Sequence, residues 1–342
     1  MKVIKRVGLV FVCVLLCVCL LLVGFGIYHR YCLSVESSIL CNSSGQLVEV
    51  SGHRMNLYME GSGDKTLVFL SGTGTPSPMY DFKPLYRKLS DRYRIVVVEK
   101  FGYGYSDECS GERSLDVVVD QSRSALVSGG VAGPYILVPH SSSGAEAIWW
   151  ANHYPDEVEA IVGIDANVPA QYDYYPVSLD STVPMDVESA VSSLALYDFF
   201  FYDIGLIRLV DASAMLPSLS SDLLTDAEKE QYKALAYAMY CRGSGATWAR
   251  ETIMTPHSLA VLKEYWHGPV PDVPTLMFVS SGKAMEPVFG SDYSSIWRSI
   301  HSDYVDRLTR GAIIYVDCGH YMHAEEPDLL AGKIVEFIDS LG

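Results

Sequence analysis

The stretch YILVPHSSSGAEAIWWANHYP (135–155) passes from five largely apolar residues, through a cluster of small ones, into a segment of helical composition. A strand that turns sharply into a helix exposes a serine hydroxyl at the turn and sets it at the positive helix N-terminus, the geometry of a nucleophile elbow. Bulk two residues before or after the nucleophile would clash with the strand and helix packed on either side. Ser141 has Pro139 and Ser143 at those positions, whereas Ser142 has His140 and Gly144. Ser141 fits better because His140 is bulkier than Pro139. A Ser/Gly turn that only caps a helix is the plain alternative, and the surrounding sequence decides between them.

Around this stretch lie TLVFL (66–70), RIVVVE (94–99), AIVGI (160–164), TLMFVS (275–280) and AIIYV (312–316). These short, nearly continuous apolar runs suit strands buried on both faces. Helix-length stretches alternate with them: SLDVVVDQSRSAL (114–126) starts at Ser114 as N-cap, and EEPDLLAGKIVEFIDSL (325–341) is amphipathic. The pattern implies a mostly parallel sheet with helices on both faces. Upstream, QLVEVSGHRMNLYMEG (46–61) alternates around a Gly-His tip and reads as a hairpin. Between Val168 and about Tyr265 no strand pattern is found. There, TDAEKEQYKALAYAMYC (225–241) opens with a Thr225/Glu228 capping box, and VESAVSSLALYDFFFYDIGLIRLV (187–210) is strongly apolar. This stretch reads as an inserted helical lid, with Tyr197, Phe199, Phe200, Phe201 and Tyr202 as packing residues.

Two further segments carry chemistry. VDCGHYMHAEEP (316–327) follows the last strand, where a loop can reach over the strand ends that bind ligands in open α/β sheets. His320 is the candidate base there, and His323 reads as a surface residue or part of the approach to the last helix. LSGTGTPSP (70–78) has glycines that let backbone N–H groups approach an anionic oxygen, with Thr73 and Ser142 as the donors of an oxyanion hole.

At the N-terminus, Lys2, Lys5 and Arg6 precede an uncharged run, Val7 to Ile27. As a helix this run would reach roughly 31 Å, enough to cross a bilayer. Bulky Ile27, Tyr28 and His29 follow Gly24 and Gly26 in place of a small-x-small cleavage site, so the run reads as an uncleaved anchor. The basic flank puts the first residues in the cytoplasm and everything after Arg30 outside the cell membrane. The chain then divides into a cytoplasmic stub and anchor (1–30), a linker (31–45), a core (46–167), the lid (168–265) and the rest of the core (266–342).

An apolar content of 49% with 19% charged residues excludes a disordered or collagen-like chain. There are 41 acids against 25 bases, four of which (Lys2, Lys5, Arg6 and Arg30) precede every acid, so residues 31–342 carry −20. Such a body repels phosphate backbones, which argues against nucleic acid and favours a neutral or cationic substrate. Cys13, Cys17 and Cys19 lie in the anchor. The other five, Cys32, Cys41, Cys109, Cys241 and Cys318, are an odd number, so outside the cell at least one should be free or paired between chains. Cys32 and Cys41 could close a short loop. No CxxC pair or His-rich cluster suggests a metal.

Four segments in order, VVVEKFGYGYSD (96–107), LVPHSSSG (137–144), HYPDEVEAIVGIDA (153–166) and CGHYMHAEEP (318–327), resemble α/β-hydrolase fold serine hydrolases over residues 46–342. The first is similar to the family's Asp-Arg-x-Gly-x-Gly-x-Ser segment and the second stands where Gly-His-Ser-x-Gly-Gly is usual. The resemblance places a Tyr-Pro pair 13 and 14 residues after the nucleophile, and Tyr154-Pro155 stand there relative to Ser141. It implies a Ser141, His320 and acid triad, oxyanion donors Thr73 and Ser142, and no cofactor. A serine at the elbow sets the chain apart from the dehalogenases and epoxide hydrolases of this fold, which use an aspartate.

The departures are specific. Ser71 replaces a histidine before the oxyanion loop, Pro139 and Ser143 replace two glycines, and SSGKAMEP (280–287) lacks the acid expected after its strand. Something must still hold the histidine tautomer. Asp165, directly after AIVGI, is the leading candidate, because some members of the fold carry the acid there; Glu286 and Asp317 are the alternatives. The expected activity is that of a membrane-anchored extracellular carboxylic ester hydrolase acting on a small neutral or cationic ester. An aminopeptidase or amidase of the same fold, and a ligand-binding protein that has lost turnover, are the rivals.

Overall fold

The apolar runs become strands of one sheet. The computed structural model describes residues 2–40, 44–174, 186–210, 216–267, 272–283 and 286–342. Its strands are β1 (Gln46–Val50), β2 (His53–Glu60), β3 (Thr66–Leu70), β4 (Arg94–Glu99), β5 (Tyr135–Pro139), β6 (Val158–Ile164), β7 (Thr275–Val279) and β8 (Gly311–Tyr315). They lie in the order β1-β2-β4-β3-β5-β6-β7-β8. The β1/β2 and β2/β4 pairs are antiparallel and every other pair is parallel. The hairpin tip is Ser51-Gly52, one residue earlier than its pattern suggests, because both residues take the positive φ (52° and 81°) of a two-residue turn. The winding reverses around β3, which puts a crevice at the carboxyl ends of β3 and β5.

Successive strand residues point to opposite faces and join separate cores. Val68 and Leu70 belong to one, with residues of the helices α2 (Leu115–Ser128), α3 (Ser143–His153) and, later in the chain, Tyr293–Val305. Leu67 and Phe69 belong to the other, with residues of the last helix, Pro327–Asp339. The AIIYV run is not buried on both faces: β8 is the sheet edge, and Tyr315 is exposed.

Between β6 and β7 the described chain is helical, with short turns over Val187–Ser193, Ala195–Asp198, Phe199–Asp203 (π-helical) and Leu206–Leu209, then α4 (Asp226–Tyr240) and α5 (Thr247–His267). The Thr225/Glu228 capping box is formed. The N-terminal helix α1 runs unbroken from Lys2 to Ile39, and among the described residues it is the one helix long and apolar enough to cross a membrane. Residues 31–39, read above as linker, therefore continue the helix, held where Arg208 grips Glu36. The Cys32–Cys41 pairing lies outside the described residues because Cys41 does.

A buried charge network ties the inserted helices to the sheet. Lys100, just after β4, donates to Glu146 of α3 (2.5 Å) and to Glu251 of α5 (2.6 Å). Arg113 donates to Glu251 (2.9 Å), and the Tyr103 hydroxyl does so at 3.1 Å. Burial would lower the Lys100 ammonium, but the two carboxylates outweigh it and hold it above its usual range. Removing one partner of such a set strands a buried charge, so Lys100→Ala should cost about 3–5 kcal/mol. Lys88→Ala removes only the exposed pair with Asp328 and should cost less than about 1 kcal/mol. Denaturant midpoints of the full-length protein in detergent compare them, and equal losses would contradict the network's role.

Candidate active site

The elbow is built by three segments packed against Ser141. Ser141 itself sits at φ 56°, a left-handed conformation that costs a non-glycine residue of order 1–3 kcal/mol and persists only where neighbours impose it. Those neighbours are identifiable. The Ile164 carbonyl at the end of β6 accepts from Ser141 N–H (3.3 Å), and Asn167 N–H donates to the Ser141 carbonyl (2.7 Å). The buried Ser143 hydroxyl accepts from His140 N–H (2.9 Å) and donates to the Leu70 carbonyl (2.6 Å), fastening β5 to β3. Ser143 thus replaces a glycine because its side chain has a buried bonding task. A Cβ at Gly144 would lie 2.2 Å from the Asn167 carbonyl oxygen, and one at Gly72 would lie 2.7 Å from Ser141 Cβ. Only glycine lets the β6 loop and the 70–74 loop come this close. Among the described residues Ser141 Oγ has no hydrogen-bond partner.

Asp165 follows β6 at φ 45° and is buried. Its Oδ1 accepts from Ser280 N–H and Trp297 Nε1–H, both at 2.8 Å. Its Oδ2 accepts from the Ser280 hydroxyl (2.9 Å) and from His320 Nδ1–H (2.6 Å). Burial by itself would raise this carboxyl. The hydrogen bond and charge of His320, with the Ser280 and Trp297 donors, outweigh it and hold the group below its usual range. The other two candidate acids lie elsewhere: Glu286 accepts from the Ser294 hydroxyl, and Asp317 is exposed.

His320 is docked beside the elbow by the residue before the serine. His140 Nε2–H donates to the His320 carbonyl (3.1 Å), and the two rings lie 4.7 Å apart. His140 is buried, and both that burial and the neighbouring histidines His320 and His323 hold its imidazole well below its ordinary range. Neutral at ordinary pH, it can support His320 without adding a like charge. His323 is not a surface residue. It is fully buried in a short helical turn, Met322–Glu325, and bonds through Nε2 to Asp81 (2.9 Å), which also accepts from the Tyr232 hydroxyl (2.8 Å).

The two oxyanion candidates are adjacent, but one is engaged. Thr73 N–H donates to the Ser142 hydroxyl (2.7 Å), which also meets Thr73 Oγ1 at 2.7 Å. Ser142 N–H has no backbone acceptor among the described residues. Thr73 and Ser142 line a cavity of about 20 Å³, together with Arg113, Glu146, Asn167 and Glu251, room for one water-sized group. Among the described residues no cluster of three or more His, Cys, Asp or Glu could hold a metal.

The structure thus pairs Thr73 with Ser142 and Asp165 with His320, and it docks the His320 loop on His140, the residue before Ser141. Sequence reading missed His140 as a support for the histidine loop, Ser280 and Trp297 as donors to Asp165, and the Asp81–His323 pair. Their only signal was proximity to the recognised motifs, since each acts across more than 100 residues of chain.

Comparison with known proteins agrees with this architecture. The alpha/beta hydrolase family model matches residues 67–333. The uncharacterized protein YbdG of Bacillus subtilis is 39% identical over 238 residues, 69% of this chain and 70% of its own. A 2-(acetamidomethylene)succinate hydrolase of Mesorhizobium japonicum is 33% identical over 119 residues, 34% of this chain and 41% of its own. Among solved structures, a meta-cleavage product hydrolase from Pseudomonas fluorescens has the same fold, with a TM-score of 0.56 at 18% identity over 87% of this chain and 99% of its own. A sheet of this topology, an elbow at the end of β5 and a family match across most of the body lead to one conclusion: the chain belongs to the alpha/beta hydrolase family.

Proposed function

We propose that the chain is a membrane-anchored serine hydrolase, with its body outside the cell membrane, that cleaves a small neutral carboxylic ester. The observation that carries the reading is the buried Asp165 carboxylate bonded to His320 Nδ1, in a loop docked on the residue before Ser141. In this scheme Asp165 keeps the Nδ1 proton in place and leaves Nε2 to take the proton of Ser141 Oγ. The oxygen attacks the ester carbonyl, and the resulting oxyanion is held by Ser142 N–H and Thr73 N–H. For Thr73 to serve, the Ser142 hydroxyl must rotate off its N–H. His320 then protonates the leaving alcohol. The same imidazole takes a proton from water, which attacks the acyl-enzyme, and returns that proton to Ser141 Oγ as the acyl–oxygen bond breaks and the acid leaves. The scheme needs no cofactor.

An ester is favoured over an amine-bearing peptide by the charges beside the elbow. Glu146 and Glu251 are matched by Lys100 and Arg113, so the cavity has no surplus negative charge to hold an ammonium group. Asp165 also supplies the acid whose absence after β7 motivated the ligand-binding alternative. The helical insertion is read as the lid: Tyr240 of α4 donates to the Gly74 carbonyl (3.0 Å), which puts it over the oxyanion loop.

Ser141→Ala should abolish both fluorophosphonate labelling and turnover of a chromogenic ester, while Ser142→Ala should still label. Labelling that persists in the Ser141→Ala protein would overturn the nucleophile. Turnover of an aminoacyl anilide in preference to the ester would transfer the reading to an aminopeptidase.

Asp165→Asn should leave the fold intact and lower turnover by several orders of magnitude, about 10⁴ where the corresponding acid has been replaced in another triad. Glu286→Gln should cost less than about tenfold, since an acid outside the triad contributes little. Measured side by side, full activity in Asp165→Asn with collapse in Glu286→Gln would move the acid's role to Glu286.

A further inference from the structure

The inserted helices are fastened to α1 at the end of its uncharged run. A Cβ at Gly26 would lie 4.0 Å from Ile204 Cδ1, and one at Gly205 would lie 2.2 Å from the His29 ring. Gly205 is therefore required twice, by its φ of 88° and by the contact. Beside it, Arg208 Nε–H donates to His29 Nδ1 (2.7 Å), and both Arg208 Nη groups donate to the Glu36 carboxylate at 2.7 Å. The same guanidinium stacks 4.4 Å from the ring centre of Tyr237 in α4. Residues 204–208 thus grip α1 from Gly26 to Glu36, starting within the last turn of the Val7–Ile27 run.

Around this grip the insertion leaves large apolar side chains bare. Leu196 is 77% exposed, Leu209 71%, Phe199 47% and Phe200 39%. The aromatic run read from sequence as packing is therefore only partly so: Tyr202 is buried, and Phe201 stacks on Tyr197 at 4.4 Å. Leu196, Phe199 and Phe200 lie close together in the chain, where the turn Ala195–Asp198 passes into the π-helical turn Phe199–Asp203. Ile204, four residues beyond Phe200, is the one that reaches Gly26 in α1. A patch of this kind on a folded body marks an interaction surface.

We propose that this ridge is seated in the outer interface of the bilayer that α1 crosses, so that the insertion is a membrane-docked cap rather than a lid free in solution. The inference rests on reading α1 as a membrane anchor. Three observations point to lipid as the occupant. The ridge is continuous, through Ile204 and Gly26, with the apolar run itself. The Arg208 grip on His29 and Glu36 fixes its height just beyond the end of that run. Aromatic and leucine side chains beside a spanning helix are the composition that settles at the headgroup level. The net charge of −20 on the body disfavours anionic lipid, so the partner is a zwitterionic surface.

The test uses the full-length protein in phosphatidylcholine vesicles doped with a phosphatidylcholine that carries a diazirine high in its acyl chain. After irradiation, lipid adducts are mapped by mass spectrometry. Adducts are expected within both 7–27 and 194–210. Arg208→Ala and Leu196→Gln should each lower those in 194–210 several-fold and leave those in 7–27 unchanged. Adducts on 7–27 alone, or chain-to-chain contacts through 194–210 in place of lipid, would overturn the docking while the anchor stands. Adducts on neither segment would remove the anchor and the docking with it.

Discussion

A carboxylate taken out of water must have its oxygens satisfied or it will not remain charged, and Asp165 meets that demand with four hydrogen bonds at the carboxyl edge of the sheet. The donors come from the end of β7 through Ser280, from the helix Tyr293–Val305 through Trp297, and from the loop after β8 through His320. Satisfying one buried group thus sets the relative positions of three segments that are far apart in sequence. It also fixes the proton of His320 on Nδ1, which gives the candidate site its direction.

The same requirement is met a second time behind the elbow. Lys100 and Arg113 neutralise Glu146 and Glu251, joining the first turn of α3 to α5 of the insertion. A sheet edge bearing a strained serine is thereby clamped from two sides, by Asp165 through the β6 to β8 loops and by the charge network through the inserted helices. Both clamps put rigid, low-dielectric surroundings against the Ser141 turn, where preorganised groups act most strongly.

The insertion has two attachments of different character. Its α4 and α5 helices meet the body through buried charges and the Tyr240 contact on the oxyanion loop, whereas residues 204–208 meet α1 through Arg208. Because α1 continues as one helix to Ile39, its position is transmitted directly to the insertion, with no break over residues 31–39.

Much of the fold was legible in the sequence because strands buried on both faces must be largely apolar, as TLVFL, RIVVVE, YILVP and TLMFV are. The places of Ser141 and His320 at the carboxyl ends of the strands were legible for a related reason: each follows an apolar run within a few residues, so its position is a local consequence. Only the tertiary structure decided the exposure of AIIYV, since an edge strand and a central strand have the same local pattern and differ only in what lies beside them. It alone placed His323 in the interior against Asp81, engaged Thr73 N–H with the Ser142 hydroxyl, and left Phe199 and Phe200 uncovered. The separation follows from range: apolar periodicity and turn chemistry are written in neighbouring residues, whereas the partner of a polar or aromatic side chain is set by packing between segments that can lie more than a hundred residues apart.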